Sequence, residues 1–325
     1  MDVQQAIAEF LQHGQEVRNL SDRTLRAYGS DLTQFNIAMD TVHTADITSE
    51  HLEGYLDKLG TGPYRDTSIR RKIAALKVFF RFLEEKGIVN ESPARKLKIK
   101  RPIESRVPTV LSAREIRSLL AAPKQQIVDL SSARDASAGA RNRYFCAIRD
   151  NVILELLFST GIRIGELVAL NVTDVRAGEH QIQITGRATR GRIVPLSPEL
   201  VDSLVAYLDI RGDRTLETTA LFVGRSGTRL TIYSIENIFK KHVRLTDIKR
   251  HITPHALRHT MAAMLVSRGT DIREVQEILG HASILSTQVY MKLPIQKGRR
   301  AAAAIPAMRV FPEAAAVAKL PIKKR

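Results

Sequence analysis

Four stretches in the first ninety residues repeat apolar side chains every three or four positions. Val3, Ile7, Phe10 and Leu11 form the first stripe, and Leu25, Tyr28, Leu32 and Phe35 the second. Leu52, Tyr55, Leu56 and Leu59 form the third, and Ile69, Ile73, Leu76, Phe80 and Leu83 the fourth. This spacing predicts four amphipathic helices, with Ser21 as candidate N-cap of the second and Gly87 closing the last. Periodicity stops between Glu91 and Pro108, where Ser92-Pro93, Arg101-Pro102 and Val107-Pro108 bracket a stretch that reads as an extended linker. Beyond it, Ser112 and Glu115 have the spacing of a capping box, flanked by Leu111 and Ile116 as a hydrophobic staple. Residues 124–143, rich in Ser, Ala, Arg and Gly, read as a surface loop. Val152 to Phe158 is apolar on nearly every side and predicts a buried helix that Thr160-Gly161 ends. Val172–Val175, Gln181–Thr185 and Arg192–Leu196 predict a small antiparallel sheet, the alternation being clearest at His180-Gln181-Ile182-Gln183-Ile184. Helical patterns return from Ser197 to Leu208 and from Thr231 to Val243. Two more follow, one through Leu257, Met261 and Leu265 to Gly269, and one through Ile272, Val275, Ile278 and Leu279 to Gly280. The expected fold class is mostly α with a small antiparallel β-sheet in the C-terminal domain. The expected division is 1–90 helical, 91–108 basic linker, 109–297 second domain and 298–325 basic tail.

Charge changes this picture most. Among 325 residues, Lys and Arg number 50 against 34 Asp and Glu, a formal net charge of +16 with a pI near 10.2. Such an excess favours a polyanionic partner, nucleic acid first, over a merely soluble basic protein. The single cysteine, Cys146, excludes a disulfide within the chain and a cysteine-built zinc site. Neither a signal peptide nor an apolar run of bilayer length is visible, so a cytoplasmic protein without membrane contact is expected.

Candidate chemistry concentrates between Thr253 and Leu293. Thr253 is placed as a helix N-cap and Pro254 as the first helical residue, where a missing N–H costs nothing. His255, Arg258 and His259 then fall three and four residues apart and share one helix face. His281 is the first residue past Gly280, and Tyr290 lies nine residues further on. Two imidazoles, a guanidinium and a phenol suit a phosphate: fixed positive donors and one oxygen nucleophile. Taken singly, each has a plainer reading, such as a half-buried core tyrosine, a histidine at a helix C-terminus or an ordinary ion pair. An upstream element, Ser159-Thr160-Gly161-Ile162-Arg163-Ile164-Gly165-Glu166-Leu167, changes that weighting.

With it, the chain resembles the tyrosine recombinase (phage integrase) family in its Xer-like form. The family pattern is Thr-Gly-x-Arg-x-x-Glu-Leu, then His-x-Leu-Arg-His, then Leu-Gly-His, then Tyr nine residues on. All four pieces stand here in order, over the last two thirds of the chain. The front third fits the family's helical DNA-clamping (core-binding) domain. The resemblance implies a two-domain DNA clamp, a site-specific recombinase or integrase of mobile-element type that cleaves and rejoins DNA. Tyr290 would be the nucleophile of a 3′-phosphotyrosyl intermediate, with Arg163 and Arg258 on the non-bridging oxygens. His255 would be the base toward Tyr290 or a phosphate donor, His281 a phosphate donor, and Glu166 and His259 supporting residues. No cofactor, metal or ATP is needed, because the covalent link conserves the bond energy. Implied partners are double-stranded DNA with inverted-repeat sites and three further copies of the chain, a homotetramer on paired sites. Against this background Arg70, Arg71 and Lys72, with Lys77 and Arg81 on the same helix, move from a solvated face toward phosphate contact. So do Lys98, Lys100 and Arg101 in the linker, and Ser21, Arg23, Thr24 and Arg26 at the second helix's start. Two other classes compete: a type IB topoisomerase, which shares the Tyr–Arg–His chemistry without pairing sites, and a catalytically weak DNA-binding relative.

One position departs from the family. The turn Gly186-Arg187-Ala188-Thr189-Arg190-Gly191 carries Arg187 where the family usually has a lysine that protonates the leaving 5′ oxygen. An arginine is effectively never deprotonated, so it stabilises charge well and donates a proton poorly. Either Arg187 acts electrostatically at the cost of slower cleavage, or another residue supplies the proton. General acid catalysis is worth ~10²–10⁴-fold, so Arg187→Lys should raise the single-turnover cleavage rate if Arg187 holds the lysine's place. A rate that stays level or falls would count against that placement.

Overall fold

The computed structural model describes the chain except residues 18–19, 21, 40–42, 98–107, 133–135, 186–190, 213–217, 282 and 293–325, and except the side chains of Arg23 and Lys292. The expected N-cap Ser21, the linker cations Lys98, Lys100 and Arg101, the turn residue Arg187 and the C-terminal tail all lie outside the described residues. The chain divides into two compact units, Met1–Ser105 and Arg106–Arg325.

The first unit is the expected set of four helices: α1 (Val3–Glu16), α2 (Asp22–Met39), α3 (Ser49–Thr61) and α4 (Asp66–Glu85). The Asp2 carboxylate accepts from the N–H groups of Gln4 and Gln5, and the Thr48 hydroxyl from that of His51, so α1 and α3 start on satisfied caps. Val3, Phe10, Leu32, Phe35, Leu52, Leu76 and Phe80 are buried as their periodicity predicts, joined by Phe79 and Phe82. Each such side chain contributes ~1.5–3 kcal/mol of burial. Gly87 leaves α4 with φ +69°, a left-handed turn. Past it, Ala94 and Leu97 are buried in the same core. The first half of the expected linker is therefore part of this unit.

Lys72 corrects a second expectation. It is not a surface cation: its Nζ donates to Asp31 Oδ1 at 3.0 Å and Gln34 Oε1 at 2.7 Å, and the side chain is 3 % exposed. Arg71 donates from Nη1 to the other Asp31 oxygen at 2.6 Å while its side chain stays 43 % exposed. The Arg70-Arg71-Lys72 run thus crosses from the surface into the α2–α4 interface, because Lys72 lies one residue before the buried Ile73 and within the width of the apolar stripe.

The second unit holds α5 (Ala113–Ser131), α6 (Ala138–Ser159), α7 (Ile164–Ala169), β1 (Val175–Arg176), β2 (Gln181–Ile184), β3 (Arg192–Pro195), α8 (Pro198–Gly212), α9 (Ile232–Val243), α10 (Pro254–Ser267), α11 (Ile272–Leu279) and α12 (Leu285–Gln288). The capping box at Ser112 and Glu115 forms as expected. The surface loop expected at 124–143 does not: α5 runs through it to Ser131, and α6 begins at Ala138 under a Ser137 cap. Alanine and arginine are strong helix formers. A Gln125–Asp129 hydrogen bond (2.8 Å) and a Lys124–Glu155 ion pair (2.7 Å) carry α5 past Pro123. From Asp150 to Ser159 every residue of α6 is buried, making it the central helix. The sheet is antiparallel in the order β1-β2-β3, with Ile182 opposite Val194 and Ile184 opposite Arg192. Its first strand starts at Val175, later than expected, because the Asn171 N–H donates to the Asp174 carboxylate and winds Val172–Asp174 into a 3-10 turn.

Burial of Lys72 has a measurable consequence. Asp31→Ala strands an ammonium in the first core and should cost ~3–5 kcal/mol, seen as a lower urea midpoint. Asp31→Leu combined with Lys72→Met should recover most of it. If the chain binds DNA as its sequence leads one to expect, Lys72→Met alone should leave the salt dependence of that binding unchanged, whereas a shallower slope would restore Lys72 as a phosphate contact.

Candidate active site

Three arginines converge on the last carbonyls of α11. Arg192 Nε donates to Ile278 O at 2.9 Å, Arg258 Nη2 to Leu279 O at 2.7 Å and Arg163 Nη2 to Gly280 O at 2.8 Å. Helix C-termini leave these carbonyls without intrahelical partners and carry partial negative charge, so guanidinium groups satisfy both needs. Each arginine comes from a different element. Arg163 is the N-cap of α7, reached through the Gly161 turn (φ +57°) at the end of α6. Arg192 opens β3, and Arg258 sits inside α10, where its Nη1 also donates to Gly161 O.

Glu166 is the counter-charge. Its Oε1 accepts from Arg163 Nη1 (2.8 Å) and Arg192 Nη1 (3.1 Å), and its Oε2 from the Arg163 backbone N–H (3.0 Å) and Arg192 Nη2 (2.9 Å). Burial works against its charge, but the Arg192 and Arg163 hydrogen bonds win and hold its pKa at about 2. Three guanidinium groups against one carboxylate leave a local charge of 3 − 1 = +2. Burial, and then the charges of Arg163 and Arg192, pull Arg258 down to about 10, still protonated at neutral pH. The arrangement favours an anion.

Tyr290 lies in a 3-10 turn (Val289–Lys292) and is 2 % exposed. Its hydroxyl shares a hydrogen bond of 2.7 Å with His259 Nδ1. His281, first past the Gly280 turn, stacks its ring on Tyr290 with centroids 6.5 Å apart and 13° between planes. Its Nδ1 shares a 2.8 Å hydrogen bond with the hydroxyl of Thr287, a fully buried residue. Burial, with neighbouring positive charge, lowers both His259 and His281 to about 4, so both rings are neutral at pH 7. Burial raises the Tyr290 phenol, against the pull of Arg258 and Arg163. Two neutral imidazoles, a protonated phenol and the guanidinium groups of Arg163 and Arg258 therefore adjoin one another.

Of the residues expected from sequence, the structure gathers Arg163, Glu166, Arg258, His259, His281 and Tyr290. His255 stands at the exposed first turn of α10, and the imidazole against the phenol is that of His259. Arg187 lies outside the described residues. Two participants were not anticipated, Arg192 and Thr287. Arg192 had a readable signal: on β3 it shares a face with Val194 and Leu196, 1 % and 2 % exposed, so the strand period turns a guanidinium inward and demands a carboxylate. Thr287 had none. Among the described residues no three His, Cys, Asp or Glu side chains gather as metal ligands would, and no helix is long and apolar enough to cross a membrane.

Residues 110–296 match the phage integrase family, and residues 7–87 match the phage integrase N-terminal SAM-like domain. The tyrosine recombinase of Agathobacter rectalis is 34% identical over 297 residues, 91% of this chain and 94% of that protein. Tyrosine recombinase XerC of Pelobacter propionicus is 34% identical over 296 residues, covering 90% and 91%. Among solved structures, the XerH site-specific recombinase bound to a palindromic difH substrate, a post-cleavage complex, shares the fold with a TM-score of 0.66. It is 22% identical over 88% of this chain and 80% of that one.

Two glycines test the geometry around α11. A Cβ on Gly280 (φ +62°) would lie 2.9 Å from Arg192 Nη1, whereas Gly165 in α7 has nothing within 4 Å. Gly280→Ala should destabilise by ~1–2 kcal/mol from the left-handed backbone alone, with displacement of Arg192 added. Gly165→Ala should stabilise by ~0.5–1 kcal/mol. Chemical denaturation of both variants checks the contrast, and similar midpoints would refute it.

Proposed function

The chain belongs to the phage integrase family and is a tyrosine recombinase, and we propose that Tyr290 is its nucleophile and His259 the group that takes the phenol proton. The observation behind this reading is the 2.7 Å Tyr290–His259 hydrogen bond set beside the three-arginine cluster. A general base must reach the proton it abstracts, and His259 does, with a neutral ring that offers Nδ1 as acceptor. As the proton passes to Nδ1, the phenolate oxygen attacks the scissile phosphorus, a 3′-phosphotyrosyl bond forms and the bond to the 5′ oxygen breaks. That oxygen takes a proton from solvent water and leaves as a hydroxyl, with Arg187, in the segment after β2, stabilising the negative charge that develops before protonation. Arg163 and Arg258 hold the non-bridging oxygens, each charge-assisted hydrogen bond contributing ~1.5–3 kcal/mol. His281, held by Thr287, donates its remaining ring N–H to the phosphate. His255 is left the other role expected of it, a donor to phosphate at the exposed mouth of the site.

The substrate is duplex DNA carrying an inverted-repeat site, and the working assembly is four protomers on two such sites in the cytoplasm. Support for the DNA partner comes from the relatives' function and from the formal charge of +16. Arg70 and Arg71 remain available to phosphates on the first unit, joined by Lys98, Lys100 and Arg101. The topoisomerase reading falls behind because recombinase similarity runs through both parts of the chain. The DNA-binding reading falls behind because side chains suited to the roles of nucleophile, base and phosphate donor adjoin one another.

Covalent trapping tests the assignment. A nicked duplex bearing a site the protein selects from random DNA should give an SDS-resistant adduct that Tyr290→Phe abolishes. His259→Gln should slow adduct formation ~10²–10⁴-fold, and His255→Gln by less. Because the folded His259 titrates near 4, the rate should stay level from pH 8 toward 5 and fall only as pH nears 4. A break near pH 6.5, or a larger loss from His255→Gln, would return the base role to His255.

A further inference from the structure

Arg192 lies outside the residues that would touch a phosphate. Its side chain is 9 % exposed, and Nε, Nη1 and Nη2 all donate inward, to Ile278 O and to both Glu166 oxygens. Arg163 differs. Its side chain is 34 % exposed, with Nη1 on Glu166 and Nη2 on Gly280 O, and part of its five-donor fork still faces outward. The two arginines compete for one carboxylate. Were Arg192 absent, Glu166 could swing into a bidentate pair with Arg163 and occupy the edge a phosphate needs. Arg192 also presses on Gly280, whose carbonyl takes Arg163 and whose successor is His281: any Cβ there would meet its guanidinium.

We propose that Arg192 is a positioning residue: it holds Glu166 by a bidentate fork so that Arg163 stays open to the scissile phosphate, and it fixes the Ile278–Gly280 turn that presents His281. This rests on the recombinase reading of the site. A lysine cannot substitute, because one ammonium lacks the planar fork that spans Glu166 while reaching Ile278 O. Arg192 also begins the strand that follows the Arg187 turn, so the hairpin carrying Arg187 and the helix end carrying His281 are tied by one side chain.

The test uses the full chain and single-turnover adduct formation on the same nicked duplex, with Tyr290→Phe as blank. Arg192→Gln should slow adduct formation ~10–100-fold, as loss of a supporting partner does, with duplex affinity unchanged. The deficit should shrink on a duplex with a methylphosphonate at the scissile position, which removes one anionic oxygen and with it the demand on Arg163. Adding Glu166→Gln should not deepen it, since both changes act along one path. Arg192→Lys keeps charge and stem, and should show the same substrate-dependent deficit if the Gln variant fails to fold. Equal deficits on both duplexes, additivity with Glu166→Gln, or full activity in Arg192→Lys would overturn the proposal. If the wild type forms no adduct, the recombinase reading fails, and Arg192 is judged on inorganic phosphate alone. Phosphate should shift the His281 Cε1–H resonance in the wild type and do so more weakly in Arg192→Gln; equal shifts overturn it.

Discussion

The end of α11 is the constraint on which the second unit depends. Three successive backbone carbonyls there, Ile278 to Gly280, take their hydrogen bonds from three arginines that arrive from β3, α10 and the start of α7. A helix C-terminus attracts one cation readily; three within hydrogen-bond reach repel one another and lose solvation. Glu166 offsets part of that cost and leaves a surplus of two positive charges. The unit carries this electrostatic strain because the surrounding core fixes it: α6 is buried over its last ten residues, and the turns at Gly161 and Gly280 admit no Cβ without collision. In the proposed reaction, a phosphate entering the site relieves the strain. Binding energy is then largest where a pentacoordinate phosphate carries the most charge, which is the requirement for transition-state stabilisation.

How much of this the sequence made legible follows from what periodicity and motifs can report. The four helices of the first unit, the buried α6 and the small antiparallel sheet were readable because each buries one face or all faces with a fixed period. The site was readable where family motifs name residues, and Arg163, Arg258, His281 and Tyr290 do adjoin one another. Motifs give types and spacing, not partners. His255 and His259 lie four residues apart on one helix face, and nothing in the chain says which imidazole meets a phenol thirty-one residues beyond the second. Helix rotation and the path of the Tyr290 turn decide that. Charge runs misled for a related reason. Lys72 looks like a surface cation in a chain of net charge +16, yet it sits on an apolar-facing position and is held by the Asp31 carboxylate. The loop expected at 124–143 failed because Ser and Gly were weighted above the Ala and Arg that sustain helix there.

The same comparison separates two uses of a buried ion pair. Around Asp31, two cations meet one carboxylate, and Arg71 reaches solvent, so the surplus charge is hydrated. Around Glu166, the surplus stays largely enclosed: Arg258 is 4 % exposed, and its pKa is lowered first by burial and then by the charges of Arg163 and Arg192. Enclosure is what turns a stabilising pair into a binding site, because a low local dielectric magnifies the attraction for an incoming anion.

Enclosure also sets the problem that the Tyr290–His259 pair answers. Arg163 and Arg258 favour the phenolate, while burial favours the phenol, and burial prevails. In the proposed reaction an arriving phosphate neutralises the arginines and removes the influence that lowers the phenol's pKa, so the proposed nucleophile becomes less acidic at the moment it is needed. A fixed acceptor at 2.7 Å resolves this, since the proton is handed over only as the phosphorus–oxygen bond forms and no free phenolate has to exist. For the acceptor to be vacant it must be neutral, and burial of the His259 ring keeps it so, with His255 and then Arg258 adding to the effect. In the proposed reaction the enclosure that strengthens phosphate binding thereby also keeps the base in its working form.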